Sequence, residues 1–244
     1  MMRVDQQRAA WSTLPTGELN DVIGSGRGLI LAPHPDDESL GCGGLIAACC
    51  QNDRAPIVVF LTDGGMSHPA SKSFPRKRLI RLRECEARTA AGILGLDPDR
   101  LIFLRQPDSQ APRSGGGLAR VVNSVIDVVG RYDCSCILAP WRFDPHPDHE
   151  AAALVAAELA NRESVRHVAY PVWGWTLPED QIVDAGPPAG WRLDISRHLD
   201  RKLRAIAAHE SQHGGVIRDD PAGFRLPDAL LGAFASPFET FLWP

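Results

Sequence analysis

The chain has no apolar stretch approaching the roughly 18 consecutive residues that a membrane-spanning helix requires. Residues 1–17, with Arg3, Asp5, Arg8 and Trp11, hold no continuous apolar core of a secretion signal. A cytosolic (cytoplasmic) protein without a membrane span is therefore expected. Surplus positive charge is missing too. Twenty-six Lys and Arg face 30 Asp and Glu, giving a net charge of -4, which excludes the broad basic surface of a nucleic-acid binder. None of the six cysteines (Cys42, Cys49, Cys50, Cys85, Cys134, Cys136) falls in a Cys-x-x-Cys knuckle. A structural zinc site of that kind is excluded, and reduced, mostly buried thiols are expected. Nucleotide fingerprints fail as well: Gly41-Cys-Gly-Gly44 lacks the G-x-x-x-x-G-K-[ST] pattern, and Gly24-Ser-Gly-Arg-Gly28 precedes a strand instead of following one. No nicotinamide or flavin cofactor is expected, and the glycines at 41–44 are read as clearance for a nearby turn.

What is present is an ordinary globular composition, 44% apolar and 23% charged over 244 residues, long enough to bury a sizeable core. Apolar runs predict strands at 28–33, 56–61, 101–104, 134–139, 167–172 and 191–195. Helices are predicted at 45–51, 76–94, 118–129, 147–161 and 199–209. Strands alternating with helices imply right-handed crossovers and a mostly parallel sheet covered on both faces. The expected fold class is α/β, a Rossmann-like three-layer sandwich forming one domain over 1–244. Such sheets gather ligands beyond the C-terminal ends of their strands, so chemistry is sought after Pro33, Leu61, Leu104 and Pro140.

Two motifs lie there: His34-Pro-Asp-Asp-Glu38 after the first strand, and Asp144-Pro-His146-Pro-Asp-His149-Glu150 after the fourth. Each alone also suits a helix start, with a capping polar residue and an initiating proline. Together, at two strand ends of one sheet, they assemble histidines and carboxylates on backbone that proline restrains, as a metal site requires. A catalytic zinc takes three nitrogen or oxygen ligands and keeps a position for water. Adjacent Asp36 and Asp37 point in different directions, so one can ligate while the other accepts a proton from water. Spacing alone does not choose which.

The two motifs together resemble the signature of the PIG-L/LmbE-like de-N-acetylases. Thr62-Asp-Gly64, Arg83-x-x-Glu86, Lys202-x-x-Ala205 and His209-x-Ser211-Gln212 extend the resemblance, which runs from about residue 28 to 212. It implies that His34, Asp37 and His149 hold Zn²⁺, that Asp36 is the general base, and that His146 stabilises the oxyanion or protonates the leaving amine. It further implies that Arg83, and with it Asp108, contacts sugar hydroxyls. A His-Asp-His donor set also accepts Fe²⁺. The implied reaction removes an N-acetyl group from an N-acetylglucosamine-type sugar or its small-molecule conjugate. The alternatives are an amidase releasing a larger acid and a metal-stabilised carbohydrate binder without turnover.

Among the remaining features, Trp173 and Trp175 follow the fifth strand and are candidates for stacking on a sugar. Cys42 has no histidine spaced to activate it and is read as packing. His68 is read as a solvated loop residue, and the basic run 76–83 as a solvated helix face apart from Arg83. Substrate choice is assigned to the loops 66–74, 106–117 and 173–190. Oligomeric state has no signature in the sequence.

Overall fold

The computed structural model describes residues 1–244. The chain opens with β1 (Met2–Arg3), α1 (Val4–Ser12), β2 (Thr16–Gly17) and α2 (Leu19–Ile23). The alternating section follows: β3 (Arg27–Ala32), α3 (Asp37–Gln51), β4 (Ile57–Thr62), α4 (Arg76–Leu94), β5 (Leu101–Gln106), α5 (Gly115–Tyr132), β6 (Cys134–Pro140), α6 (Pro147–Arg162) and β7 (Arg166–Tyr170). Then come β8 (Ile182–Val183), β9 (Gly190–Asp194), α7 (Leu199–Ala207), α8 (Asp228–Phe234) and β10 (Phe238–Leu242). No helix is long and apolar enough to cross a membrane.

Eight strands form one sheet in the order β2-β9-β10-β7-β6-β3-β4-β5, and β1 pairs with β8 separately. The five strands from β7 to β5 are mutually parallel, whereas β10 runs antiparallel to both β7 and β9. Alternate side chains take opposite faces. Ile30, Ala32, Val58 and Phe60 pack with α3, α4 and α7 on one side. Leu29, Leu31, Ile57 and Val59 pack with α5 and α6 on the other. Burial of both faces is the reason these strands read as unbroken apolar runs. The α/β three-layer expectation is met.

Several features depart from the sequence reading, which predicts none of α2, α8 and β10. Helix α3 begins at Asp37, not at residue 45. The Glu239 carboxylate accepts the Gly44 and Leu45 N–H groups at 2.7 and 2.8 Å, midway along this helix. The second half of α3 thus has a capping partner of its own, supplied by β10 and held by Lys202 Nζ at 2.8 Å. The glycines of α3 also face the sheet and α7 rather than the turn. A Cβ on Gly41 would lie 2.3 Å from the Tyr170 ring, and one on Gly44 2.4 Å from Ile195. Lastly, α1 was not foreseen; its fully buried Trp11 packs edge-on against Trp141 and Trp175, each at 5.0 Å.

The topology itself opens the site. β3 leads to β4 on one side, while its other neighbour is β6, which continues to β7. The C-terminal ends of β3 and β6 therefore flank the switch point of the sheet, where a crevice forms.

Candidate metal centre and active site

Both motifs arrive at that crevice. After β3, Pro33 carbonyl accepts the Thr62 N–H and hydroxyl, fixing the exit of the strand. The Asp37 carboxylate closes the turn by accepting the His34 backbone N–H at 2.9 Å, and its Oδ2 lies 3.2 Å from His34 Nδ1. Asp36 takes the opposite direction. Its carboxylate accepts from Arg83 at 3.1 Å, and the same guanidinium donates to the Pro35 and Gly64 carbonyls at 2.8 and 2.9 Å. The two aspartates diverge, as expected of adjacent residues at a helix start.

After β6, Asp144 is fully sequestered. It accepts the Val172 and Gly174 N–H groups at 3.0 and 2.7 Å, and its Oδ2 lies 3.0 Å from His149 Nδ1. His146 caps α6 by accepting the Asp148 N–H on Nδ1 at 3.1 Å. In the neutral ring this places the proton on Nε2, leaving a donor free. Asp148 in turn bonds His34 Nε2 at 3.1 Å while accepting the Ser109 and Ala111 N–H groups.

Two ligand-to-ligand edges of this donor set have the length a metal ion requires. Asp37 Oδ2 lies 3.2 Å from His34 Nδ1 and 3.3 Å from His149 Nε2. Tetrahedral bonds of about 2.0–2.1 Å put ligand atoms about 3.3 Å apart. His149 Nε2 is buried, makes no well-aligned hydrogen bond and faces the Asp37 carboxylate at 3.3 Å, an arrangement that a shared cation would complete. Each imidazole presents one nitrogen to Asp37 and gives the other to a buried carboxylate, Asp148 for His34 and Asp144 for His149, the support that orients metal-bound histidines. Nitrogens of His34, His146 and His149 also lie within 4.8 Å of one another, so His146 stands at the edge of the same centre.

Electrostatics follow from this crowding. Burial pushes Asp36 up to about 6, against the pull of Arg83. Asp37 is held far below the usual carboxylate range because His149 and His34 outweigh its burial. Burial opposes a charge on His149, but Asp37 and Asp144 raise it to about 9. Burial and the neighbouring His34 and His149 bring His146 down to about 4. The surroundings favour a cation between the imidazoles and carboxylates and keep His146 neutral.

A hollow of about 150 Å³ opens beside these groups, lined on its polar side by Arg83, Asp108 and Ser109, and on its apolar side by Met66, Trp173, Phe224 and Leu226. Trp173 meets Phe224 edge-on at 5.8 Å. Asp108 Oδ1 lies 3.4 Å from His34 Nε2, and its other oxygen accepts the Met66 N–H. A larger space of about 860 Å³ lies behind α6, away from His34, Asp37 and His149, so size does not mark the reactive crevice.

Residues 29–160, more than half of the chain, match the family model described as PIG-L: GlcNAc-PI de-N-acetylase. The chain belongs to the PIG-L family. The matched segment carries both histidine turns. A probable N-acetyl-alpha-D-glucosaminyl L-malate deacetylase 2 of Bacillus anthracis is 29% identical over 196 residues, covering 78% of this chain and 83% of that protein. The diacetylchitobiose deacetylase of Thermococcus kodakarensis is 27% identical over 191 residues, covering 75% and 69% respectively. In fold, the N,N'-diacetylchitobiose deacetylase of Pyrococcus horikoshii superposes with a TM-score of 0.64 at 20% identity, covering 97% of this chain and 89% of that one.

Within this PIG-L framework the sequence reading missed several groups. Asp144 and Asp148 stood inside the quoted motif without a role. Glu38 and His209 form a buried pair at 3.1 Å beneath the first turn. Phe224 and Leu226 come from a segment without periodicity. Two other readings change: Trp175 packs on Trp11 instead of entering the hollow, and His68 is buried at 2% exposure, with Gly223 packed directly on its ring. Cys42 is buried, and its thiol is pushed well up by that burial, in keeping with packing.

Proposed function

We propose that this protein is a metal-dependent N-deacetylase that removes the acetyl group from an N-acetylglucosamine-type sugar or its conjugate. The observation that carries the reading is the convergence of two imidazoles on one buried carboxylate oxygen, His34 Nδ1 at 3.2 Å and His149 Nε2 at 3.3 Å from Asp37 Oδ2, with Asp36 on the adjacent residue. His34, Asp37 and His149 are assigned as ligands of Zn²⁺, and Fe²⁺ suits the same donors. When bound, the ion acidifies water and polarises an amide carbonyl.

The chain's own groups do the rest. Asp36, a carboxylate set apart from the ligands and braced by Arg83, accepts the proton of the attacking water. His146 has Nδ1 engaged by the Asp148 N–H, so its Nε2–H faces outward to donate to the oxygen on which negative charge develops. Asp36, once protonated, holds the proton that the departing amine needs. Arg83, Asp108 and Trp173, all on the hollow, are assigned as substrate contacts, with Arg83 also holding the base. The whole span 1–244 is read as one deacetylase domain. All six cysteines are free and four are buried, which supports a reducing compartment, the cytosol.

The test is to incubate zinc-loaded protein with a panel of N-acetylglucosamine conjugates and measure released acetate and primary amine. Acetate and amine in equal amounts, lost after chelation and restored by zinc, is the expected result. Release of a larger acid instead identifies the amidase alternative, and tight sugar binding without any acid identifies a binder.

A further inference from the structure

Five non-glycine residues have positive φ, and four of them (Asp53, Arg105, Ser109, Asp133) sit between 51° and 66°, in the left-handed well. Asp36 is different, at φ 148° and ψ -30°, where an L side chain is strained. It occupies the N-cap position of α3, and aspartate is among the residues best suited to cap a helix, yet its side chain makes no capping bond. An aspartate at an N-cap with ordinary negative φ would turn its carboxylate onto the N–H groups of the first turn, and here it does not.

Two groups oppose that relaxation: Arg83 holds the carboxylate at 3.1 Å, and Glu38 holds the backbone. Its Oε2 accepts the Asp36 N–H at 2.9 Å, while Oε1 accepts the Ser39 hydroxyl at 2.7 Å and lies 3.1 Å from His209 Nε2. Glu38 is 3% exposed and His209 is fully buried. Glu38 takes no part in lining the hollow, so it does not reach substrate. His209 comes from the turn after α7, and Ser211, two residues on, is tied by N–H and hydroxyl to Glu86 of α4. The clamp is thus anchored outside the motif it serves.

We propose that Glu38, fastened by His209, is the positioning residue that keeps Asp36 in its strained backbone conformation and so directs the base toward the hollow instead of into a helix cap. This rests on Asp36 being the base. The experiment compares Glu38→Ala and Glu38→Gln with the wild type by kinetics, zinc content and crystal structure. For Glu38→Ala we expect kcat to fall about 10²-fold, the loss associated with a misplacement near 1 Å. KM should stay within about twofold, one zinc should remain per chain, and Asp36 should appear at negative φ with its carboxylate capping α3. Glu38→Gln keeps an oxygen acceptor for the Asp36 N–H and should retain activity within about tenfold of wild type.

Because Glu38→Ala leaves the buried His209 Nε2 without its carboxylate partner, the double change Glu38→Met with His209→Leu removes both polar partners at similar volume as a control for folding. It should show the same kcat loss and the same turned Asp36. An unmoved Asp36 in either variant, or unchanged kcat, overturns the proposal. If the wild type turns over no acetamide the deacetylase reading fails, and the position of Asp36 in the crystal structures still decides the role of Glu38.

Discussion

The turn after β3 is held from outside, by Arg83 of α4, Thr62 of β4 and His209 from beyond α7, and it keeps Asp36 at a strained φ. The turn after β6 is a relaxed helix start. His146 caps it, Pro147 sits at its first position, and Asp144 accepts the N–H groups of the loop after β7 while backing His149. The difference follows what each turn holds. The second turn presents one proposed ligand, His149, and a well-formed cap with a buried carboxylate behind the imidazole keeps it rigid, whereas the first presents two, His34 and Asp37, together with the proposed base. The proposed base has to stand near the metal without binding it, beside a neighbour that does bind; adjacent residues diverge in any case, and the strained φ of Asp36 sets the direction its carboxylate takes.

The comparison is broken most severely by altering the base itself. Asp36→Ala should lower kcat by about 10²–10⁴-fold and leave zinc near one per chain, whereas His34→Ala should lose the metal. Normal turnover in the Asp36 variant would assign the proton to another group. In the second turn, Asp144→Asn removes the negative charge behind His149 Nδ1 and sets an amide NH2 against one of the two backbone N–H groups that the carboxylate accepts, loosening the support of His149. Zinc affinity should fall about 10–100-fold in a chelator competition; unchanged affinity would mean that packing alone orients His149. The smallest effect belongs to neither turn. Trp173→Ala removes one aromatic face, worth about 0.5–1.5 kcal/mol, so KM should rise about 2–12-fold with kcat retained, and a loss confined to kcat would take Trp173 out of substrate binding.

Much of this was legible along the chain. The parallel strands show because they are buried on both faces, and the histidine turns show because proline, histidine and aspartate cluster at strand ends. The start of α3 was misread because Glu239, some 195 residues from Gly44, supplies a cap inside the helix. Phe224 and Leu226 were invisible because a loop wall has no period, and His68 was misplaced because Gly223 covers it from the same distant segment.

By itself the sequence determined the layered fold and the residue types of the site, since hydrophobic period and local turn chemistry act between neighbours in the chain. Only the tertiary structure decided which aspartate meets the imidazoles, which carboxylates stand behind them and what closes the hollow. Those choices depend on separations of a few ångströms between groups over a hundred residues apart, as between His34 and Asp148, and at that range direction and burial, not residue type, set the chemistry.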